Sequence, residues 1–481
     1  MIYNTTPYKH QQEALEQAWG NPGFAFFLEQ GTGKSKIIVD EIVNLNEQGL
    51  INAVIILAPN NVHVNWKGEF EKHWPDYKKW EIQIWRSGLN ADRKMKFETE
   101  TRRIINSGKL LVFLMNIEAL SHNGGKDYLK RILLARGKTY MAIDESHKIK
   151  TPTAQRTKSC IELGRYAKIK RIATGTEAEE GLENLFSQFR FLDNNIIGMR
   201  SFTAFRSMFC VMGGYEMREI RGYQNQEMLA ARIAPYIYSK RKKDCLDLPD
   251  KVYVTHKIGI TPAQASLYNK LENELLVELK SGAIVDARMA MTRMMRLQQV
   301  LCGHINSSEE EHHKNPDIIP SNRADFVAEI VEEASSKVIV FCRFIVDVEL
   351  VVTALAKIGI RSMGISSLVE GHHRMEAIDC WRQDSGIKAL VITTSTGGTG
   401  LTLNEATTTI FYSNSWSSTD RIQAEDRNHR IGQDSKVTYH DIVVPRRIDH
   451  RLLSVLKDKQ KAATSFRSIV DIQRFLTEDV E

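Results

Sequence analysis

The chain has 481 residues, of which 42% are hydrophobic and 26% are charged, and its formal net charge is +6. These proportions are those of an ordinary globular protein, so they exclude a disordered, collagen-like or disulfide-scaffold chain. At about 150 residues per domain, the length predicts two or three domains. A positive charge spread over this length fits nucleic-acid binding but supports it only weakly.

The absence of a membrane span or signal-peptide pattern, together with the cysteine usage, predicts a soluble, intracellular protein. No apolar run approaches the roughly 18 residues that a membrane span needs. The first residues lack the basic-then-apolar pattern of a signal peptide. The 6 cysteines are scattered and no two are spaced as zinc ligands are, which favours core thiols in a reducing compartment.

The first half of the chain alternates short apolar runs with helical stretches. The runs cover 24–28, 53–57, 110–114, 140–143 and 171–173. Near-continuous apolar runs that end in glycine, proline or polar residues predict buried parallel strands with functional loops at their carboxyl ends. Helical patterns dominate the region that follows, at 183–241 and 262–301, and Thr151-Pro152 and Thr261-Pro262 look like helix starts.

A second alternating region follows a polar loop at 306–322. Its apolar runs cover 337–341, 361–365, 389–392, 409–412 and 437–443. The simplest interpretation is an α/β fold with two lobes, each a mainly parallel sheet flanked by helices, and helical protrusions between them.

A glycine-rich segment, Gly31-Thr32-Gly33-Lys34-Ser35, follows the first predicted strand and precedes a helical pattern. Such a turn lets backbone N–H groups approach phosphate oxygens, and the helix N-terminus favours negative charge. Lys34 would then bind the β and γ phosphates, and the Ser35 hydroxyl would bind Mg²⁺. The full phosphate-loop pattern is incomplete because Leu28 stands at its first glycine position, so an ordinary glycine turn remains the alternative for this segment alone.

Two carboxylates, Asp144 and Glu145, end another apolar run. A carboxylate at the tip of a buried strand is well placed to bind Mg²⁺, and a neighbouring one can orient or deprotonate a water. An acidic surface turn is the alternative interpretation.

A third segment, 423–433, is rich in polar and basic residues. On a helix, Gln423, Arg427 and Arg430 would share one face through their i+4 and i+3 spacings. Planar guanidinium groups suit a phosphate that gains charge during transfer. The alternative for this segment alone is a charged, exposed helix.

Nine short segments along the chain match, in order, the motifs of a known protein family. They are 9–11, 31–35, 58–69, 144–147, 174–176, 241–251, 338–344, 394–403 and 423–433. In this order they resemble the Q motif, motifs I, Ia, II and III, the end of the first lobe, and motifs IV to VI of the Swi/Snf-type ATPases of helicase superfamily two. The resemblance covers nearly the whole chain. The QAEDR-HRIGQ form of the last segment is closest to the annealing-helicase branch.

The resemblance implies two RecA-like lobes with ATP bound between them. The first lobe would cover 1–248, with a helical protrusion at about 190–240. The second would cover 249–448, with a helical insertion at about 262–320, and a C-terminal helical segment would follow at 449–481.

ATP and Mg²⁺ are the implied cofactors, and the resemblance assigns a role to each matching residue. The catalytic residues would be Lys34, Glu145, Arg427 and Arg430. The nucleotide would contact Gln11, Gly31, Thr32, Gly33, Lys34, Ser35, Gly398 and Gln423. Ser35 and Asp144 would bind Mg²⁺. The candidate DNA contacts are Asn60, Asn61, Lys67, Asn116, Thr396 and Thr399.

The implied function is a DNA-stimulated ATPase that moves along double-stranded DNA. An annealing or fork-remodelling enzyme on branched DNA is a second possibility. A third is an ATP-gated binding module with little turnover, which the departures Glu177, Glu180 and Ser395 from the family pattern keep open. We expect a monomer in the cytoplasm of a bacterial or virus-infected cell, without membrane contact, and targeted by a separate protein partner.

Overall fold

Parallel strands form the centre of each half of the chain. The computed structural model describes residues 1–77, 79–175, 181–213, 219–281, 287–306, 316–369, 371–397, 401–454 and 456. Two compact units are present; the first contains Met1–Asp247 and the second begins at Leu248.

The first unit is an α/β sandwich of helices around one parallel sheet. Its strands are β1 (Gly23–Leu28), β2 (Ala53–Leu57), β3 (Trp80–Ile84), β4 (Leu110–Met115), β5 (Thr139–Asp144), β6 (Ile169–Thr174), β7 (Cys210–Gly213), β8 (Glu219–Tyr223) and β9 (Ile237–Lys240). Its helices are α1 (Lys9–Ala18), α2 (Lys34–Glu47), α3 (His63–His73), α4 (Ala91–Asn106), α5 (Asn123–Arg136), α6 (Gln155–Gly164), α7 (Asn184–Leu192), α8 (Asn194–Ile197), α9 (Phe202–Phe209), α10 (Gln226–Ile233) and α11 (Lys242–Cys245).

The main sheet of this unit has the strand order β3-β4-β2-β5-β6-β1-β9, and its neighbours pair in parallel. Alternate side chains of β1 enter two different cores. Phe24, Phe26 and Leu28 pack in one apolar cluster, and Ala25 and Phe27 pack in the other. Because helices cover both faces of the sheet, its central strands are apolar at nearly every position.

The second unit repeats this arrangement. Its strands are β10 (Lys251–Lys257), β11 (His304–Ile305), β12 (Asp317–Ile318), β13 (Lys337–Cys342), β14 (Arg361–Ile365), β15 (Ile387–Thr393), β16 (Ala406–Phe411) and β17 (Val437–Val443). Its helices are α12 (Pro262–Ser281), α13 (Ala287–Cys302), α14 (Arg323–Glu333), α15 (Ile345–Lys357), α16 (Gly371–Gln383), α17 (Thr394–Gly397) and α18 (Ser418–Glu425). The main sheet has the order β10-β17-β16-β13-β15-β14, and these strands are also parallel.

The predicted fold class, two lobes of parallel sheet flanked by helices, is confirmed. One helix start is also confirmed, because α12 begins at Pro262 and the Thr261 hydroxyl accepts a hydrogen bond from the Gln264 backbone N–H at 3.3 Å. The helix start predicted at Thr151-Pro152 is wrong: these residues form a turn, closed by the Ala154 N–H on the Thr151 carbonyl at 3.2 Å, and α6 begins four residues later.

The protrusion predicted to be helical at about 190–240 also contains strands. β7 and β8 form an antiparallel hairpin, and β9 pairs with β1 at the edge of the main sheet. In the second insertion, α12 and α13 are helical, whereas 282–286 and 307–315 lie outside the described residues. Most of the predicted C-terminal segment 449–481 also lies outside them.

Cysteine burial agrees with the expected core thiols for most positions. All 6 cysteines are free thiols, and Cys160, Cys210, Cys302 and Cys342 are buried. Burial raises the pKa of Cys160 to about 12. Among the described residues, none of the helices combines the length and apolarity needed to cross a lipid bilayer.

A hydrogen-bonded histidine pair joins β10 to β17 and predicts a pH-dependent stability. His256 Nε2 lies 2.8 Å from His440 Nδ1, so one ring donates this hydrogen bond through its N–H and the other accepts it. Burial lowers the pKa of both rings, and the His256 charge further lowers that of His440, against the opposing charge of Asp441. The unfolded chain therefore binds more protons than the folded chain as pH falls through about 6.5.

We expect the free energy of unfolding to fall as pH decreases below this value, and to fall less in His256→Gln, which removes one member of the pair. Urea unfolding of both proteins between pH 5 and pH 7.5 measures the difference. Other buried histidines contribute equally to both curves, so identical pH dependence in the two proteins would contradict a role for this pair.

Candidate nucleotide-binding site

The segment between β1 and α2 forms a tight loop at the carboxyl edge of the first sheet. Gly31 and Gly33 have φ values of 80° and 85°, which side-chain-bearing residues rarely adopt. The Thr32 hydroxyl donates to the Glu29 carbonyl at 2.7 Å. Helix α2 starts at Lys34, immediately after the turn, so its N-terminal N–H groups and positive dipole end lie where an anion can bind.

Lys34 belongs to this loop by contact as well as by sequence. Its Nζ donates to the Leu28 carbonyl at 2.8 Å and to the Glu29 carbonyl at 3.3 Å. The ammonium group therefore lies beside the end of β1, at the edge where the loop turns. Ser35 follows in the first turn of α2 and is half-buried.

Two residues of α1 bind the same loop from the side. His10 Nε2 lies 2.9 Å from the Thr32 carbonyl, and Gln11 Nε2 donates to that carbonyl at 3.1 Å. The Gln11 Oε1 atom accepts from the Tyr8 backbone N–H at 2.9 Å, which orients the amide. The structure thus brings Gln11, predicted to contact the base, next to the predicted phosphate loop.

The close approach of Gln11 makes Gly33 a sensitive position. A Cβ atom at Gly33 would lie 2.3 Å from Gln11 Nε2, and φ is 85° there. Gly33→Ala should therefore cost about 1–2 kcal/mol of folding free energy through its left-handed backbone, and it should also displace the Gln11 amide. Thermal unfolding and nucleotide affinity measure the two effects. Gly49→Ala is the control, because φ is 66° there and no atom lies within 4 Å of the new Cβ.

Asp144 and Glu145 lie at the carboxyl end of β5, one strand away from the loop. β6 lies between β5 and β1, so the two strand ends are separated by about 10 Å, or two inter-strand spacings. The Asp144 Oδ2 atom accepts from Trp66 Nε1 at 3.0 Å, and Oδ1 accepts from the Glu145 backbone N–H at 3.0 Å. Burial and the neighbouring Glu145 charge raise the pKa of Asp144 to about 6, while the charge of Lys34 opposes them.

Glu145 occupies a strained backbone position that directs its side chain towards the loop. Its φ is 55°, which is uncommon for a residue other than glycine and occurs often at functional sites. The Gln30 amide donates to Glu145 Oε1 at 3.3 Å, and His147 Nδ1 lies 3.4 Å from Oε2. Glu145 is therefore fixed from the loop side by Gln30 and from its own turn by His147.

The donor chemistry of this edge fits ATP with Mg²⁺. The hydroxyl of Ser35 and the carboxylate of Asp144 are the hard oxygen ligands that Mg²⁺ prefers. A cation beside Asp144 would compensate the repulsion and desolvation that raise the pKa of this carboxyl. Among the described residues, no cluster of three or more histidine, cysteine or acidic side chains forms a separate metal site.

In the second unit, the predicted helix through 423–430 ends early. α18 stops at Glu425, and Arg427 and Arg430 follow in turns, so the prediction of one helical face for all three polar residues is wrong. The two guanidinium groups nevertheless lie together. Arg427 and Arg430 both donate to the Leu401 carbonyl, at 3.3 and 3.1 Å, and Arg427 Nε donates to the Gln423 carbonyl at 2.9 Å.

The candidate DNA contacts have different surroundings. Asn60 and Asn116 follow the neighbouring strands β2 and β4, whose ends pair at Leu57 and Met115. Lys67 is exposed on α3 and lies 3.5 Å from Glu71. In the second unit the Thr396 side chain is buried and its hydroxyl accepts from Thr393 at 2.8 Å, and its DNA contact stays a prediction. The side chain of Asn61, and all of Gly398 and Thr399, lie outside what the structure describes.

Some contacts at the site were not predicted from the sequence. Gln30 carried no signal, and it reaches the Glu145 carboxylate only because of the folded path of the chain. His10 lies in the 9–11 segment, but its contact with the Thr32 carbonyl was not predicted. Trp66 lies within motif Ia, but its contact with Asp144 spans 78 residues and follows from the adjacency of β2 and β5.

A glycine loop after β1, a helix starting at its lysine, and a paired carboxylate on a nearby strand end define a P-loop nucleotide-binding protein with RecA-like lobes. The SNF2-related domain profile matches residues 8–306, and the helicase conserved C-terminal domain profile matches residues 322–432. The chain therefore belongs to the SNF2 family of helicase-like proteins.

The chain is also similar to several curated proteins. The DNA excision repair protein CSB of Oryza sativa subsp. japonica is 24% identical over 90% of this chain and 40% of its own length. The DNA repair and recombination protein RAD26 of Saccharomyces cerevisiae is 23% identical over 88% of this chain and 43% of its own length. An uncharacterized ATP-dependent helicase, MG018, of Mycoplasma genitalium is 24% identical over 98% of this chain and 42% of its own length. The chain thus spans about two-fifths of the length of these relatives.

A solved structure, the Sulfolobus solfataricus SWI2/SNF2 ATPase core in complex with dsDNA, is similar over 99% of this chain and 96% of that chain. The sequence identity is 21% and the TM-score is 0.43.

Proposed function

We propose that the chain is a DNA-stimulated ATPase that couples ATP hydrolysis to movement along double-stranded DNA. The observation that carries this proposal is the convergence of Lys34, Asp144 and Glu145 on one edge of the first sheet, with Gln30 joining the loop to Glu145. A lysine for phosphate, a carboxylate for a metal ion and a second carboxylate for water are the parts that phosphoryl transfer to water needs.

Within this proposal, each described group has one task. Lys34 and the N–H groups at the start of α2 bind the phosphates, and Gln11 binds the base. Ser35 and Asp144 bind Mg²⁺, which would supply charge neutralisation for the phosphates. Glu145 orients and deprotonates the attacking water, with Gln30 and His147 fixing its carboxylate. Arg427 and Arg430 neutralise the charge that develops on the transferred phosphoryl group.

Movement along DNA is the further part of the proposal. Asn60 and Asn116 lie at adjacent strand ends of the edge that also carries Asp144, which supports coupling between phosphate contacts and the nucleotide. Backbone contacts of this kind are independent of base sequence and weaken with salt. We also propose that the two lobes cover 1–248 and 249–448. The working unit in this proposal is a monomer, with a separate protein partner for targeting.

ATP turnover tests the proposal directly. It is measured without DNA and then with duplex, forked and single-stranded DNA in turn, for the wild type, Glu145→Gln and the matched control Glu162→Gln, whose carboxylate pairs with Lys126 away from the site. We expect duplex DNA to stimulate the wild type and the control, and Glu145→Gln to lower turnover about 10²- to 10⁴-fold. Turnover that responds neither to DNA nor to Glu145→Gln would refute the proposal.

Annealing or fork remodelling remains the second candidate, and the form of the 423–433 segment is the observation that favours it. Rewinding of a melted duplex bubble by the purified chain, or stronger stimulation by forked than by duplex DNA, would select it. An ATP-gated binding module is instead the outcome if ATP binds tightly and turnover is negligible.

A further inference from the structure

Glu425 marks the point where α18 ends and the turns carrying Arg427 and Arg430 begin. Its backbone carbonyl accepts from the Tyr439 hydroxyl at 2.9 Å and from the His429 N–H at 3.3 Å. The position of this peptide determines where the chain that carries the two arginines leaves the helix, because only one residue separates Glu425 from Arg427.

The Glu425 carboxylate is buried and binds three donors. Arg421 Nε lies 2.7 Å from Oε1, while Lys251 Nζ at 3.0 Å and the Tyr253 hydroxyl at 2.7 Å both donate to Oε2. Burial alone would raise the pKa of this carboxyl, but the charges of Lys251 and Arg421 outweigh it and lower the pKa to about 2. The group is therefore ionised over the whole working pH range.

Two cations bind the Glu425 carboxylate, and Arg421 is shared with a second carboxylate. Arg421 also pairs with Asp441, with its guanidinium on Oδ1 at 2.5 Å and on Oδ2 at 3.1 Å. One arginine thus serves two buried carboxylates, and Lys251 supplies the second positive charge. Its Nζ also lies 3.9 Å from Asp426 and 5.6 Å from the centre of the Tyr439 ring.

Lys251 comes from a different part of the chain than the arginines. It is the first residue of β10, which starts four residues after the end of the first unit. Just before it, the Pro249 carbonyl lies 2.8 Å from His429 Nε2. The start of β10 therefore contacts the arginine segment on both sides of Arg427, at Glu425 and at His429.

We propose that Lys251 is a positioning residue for ATP hydrolysis, acting through Glu425 to fix the turn that carries Arg427 and Arg430. This inference rests on the proposed function. Lys251 itself touches neither guanidinium group in the described structure, so its loss leaves both arginines present but allows the end of α18 to shift. A misplacement of about 1 Å at a catalytic group is enough to cost about 10²-fold in rate.

The experiment measures kcat and KM for ATP with duplex DNA for the wild type, Lys251→Met, Lys251→Arg, Tyr253→Phe and Lys337→Met. Lys337 is the matched control. It also begins a strand of the same sheet, lies 5.3 Å from the centre of the Trp381 ring, and donates to the carbonyls of Trp381, Asp384 and Ile387. Melting temperatures of all five proteins show whether each variant folds.

We expect Lys251→Met to lower kcat about 10- to 100-fold with KM within about twofold of the wild type, because transition-state stabilisation alone is lost. Lys251→Arg should recover most of kcat, since it keeps the charge. Tyr253→Phe, which removes one hydroxyl, should give a smaller loss, and it replaces Lys251→Met as the test if the latter does not fold. Lys337→Met should keep the wild-type kcat, even if it melts earlier.

A double variant separates positioning from general damage. If Lys251 acts through Glu425, then Lys251→Met combined with Glu425→Gln should lose no more kcat than the more damaging of the two single variants. Wild-type kcat in both Lys251→Met and Tyr253→Phe, an equal loss in Lys337→Met, or additive losses in the double variant would overturn the inference while the proposed function stands. Absence of DNA-stimulated turnover in the wild type would overturn both.

Discussion

Lys34→Ala is expected to reduce ATP turnover by about 10³-fold or more. The lysine lies at the start of α2, where it donates to two carbonyls at the end of β1, and in the proposed function its charge moves with the transferred phosphate. Alanine leaves the glycine turn and the N–H groups intact, so some nucleotide affinity should remain. Steady-state hydrolysis with duplex DNA, together with titration of a fluorescent ATP analogue, measures both quantities.

Lys36→Met is the matched control for this variant. Lys36 lies two residues further along the same helix and pairs with Asp40 at 2.6 Å, where it also donates to the Thr5 carbonyl. We expect Lys36→Met to melt at a lower temperature, because it leaves Asp40 buried without its ion pair, but to hydrolyse ATP at close to the wild-type rate per folded molecule. Equal loss of turnover in both variants would mean that Lys34 acts through folding rather than through the phosphates.

Arg427→Ala is expected to reduce kcat by about 10³-fold while nucleotide affinity changes little. Arginines that neutralise the transferred phosphoryl group contribute about 10³- to 10⁵-fold in rate and act only in the transition state. Arg430→Ala should give a loss of the same kind, because the two guanidinium groups share the Leu401 carbonyl. Single-turnover hydrolysis and nucleotide binding measure the two quantities separately.

Two further variants identify the cause of the loss. Arg427 is 3% exposed and donates to two backbone carbonyls, so alanine also removes local packing. Arg427→Lys keeps the charge but lacks the planar, branched donor, and we expect it to remain far below the wild type. Arg361→Ala, which removes an exposed ion pair with Asp384, should leave kcat unchanged. If Arg427→Lys restores full turnover, a planar guanidinium is unnecessary and the assigned role is wrong.

Most of the strands that could be predicted from the sequence lie inside a sheet, whereas β14 was predicted although it lies at an edge. The bounds of β2, β14 and β17 agree residue for residue with the apolar runs at 53–57, 361–365 and 437–443. β3, β9 and β10 were missed, and all three lie at sheet edges. An edge strand has one neighbour and partial solvent contact, so polar residues such as Glu81, Gln83 and Thr255 interrupt the apolar run on which the prediction depends.

The candidate site divides in the same way. The glycine turn and the strand-end carboxylates could be predicted, because local backbone geometry and chemistry restrict their residue types. The contacts of Gln30 with Glu145 and of Lys251 with Glu425 could not, because they join residues 115 and 174 positions apart. The early end of α18 also escaped, since the spacing of Arg427 and Arg430 fits a helix equally well; the Tyr439 hydroxyl and the β10 contacts bind the chain where the helix stops.

The indole of Trp66 places an intrinsic fluorophore against the carboxylate that would bind the metal ion. Its Nε1–H points at Asp144 Oδ2, and the ring is almost completely buried beside Phe70. Tryptophan emission shifts with the electric field at the ring, so charge arriving at Asp144 would change the colour or yield of this one residue among the 7 tryptophans. Under the proposed function, Trp66 emission would therefore report metal binding at Asp144 without an added label.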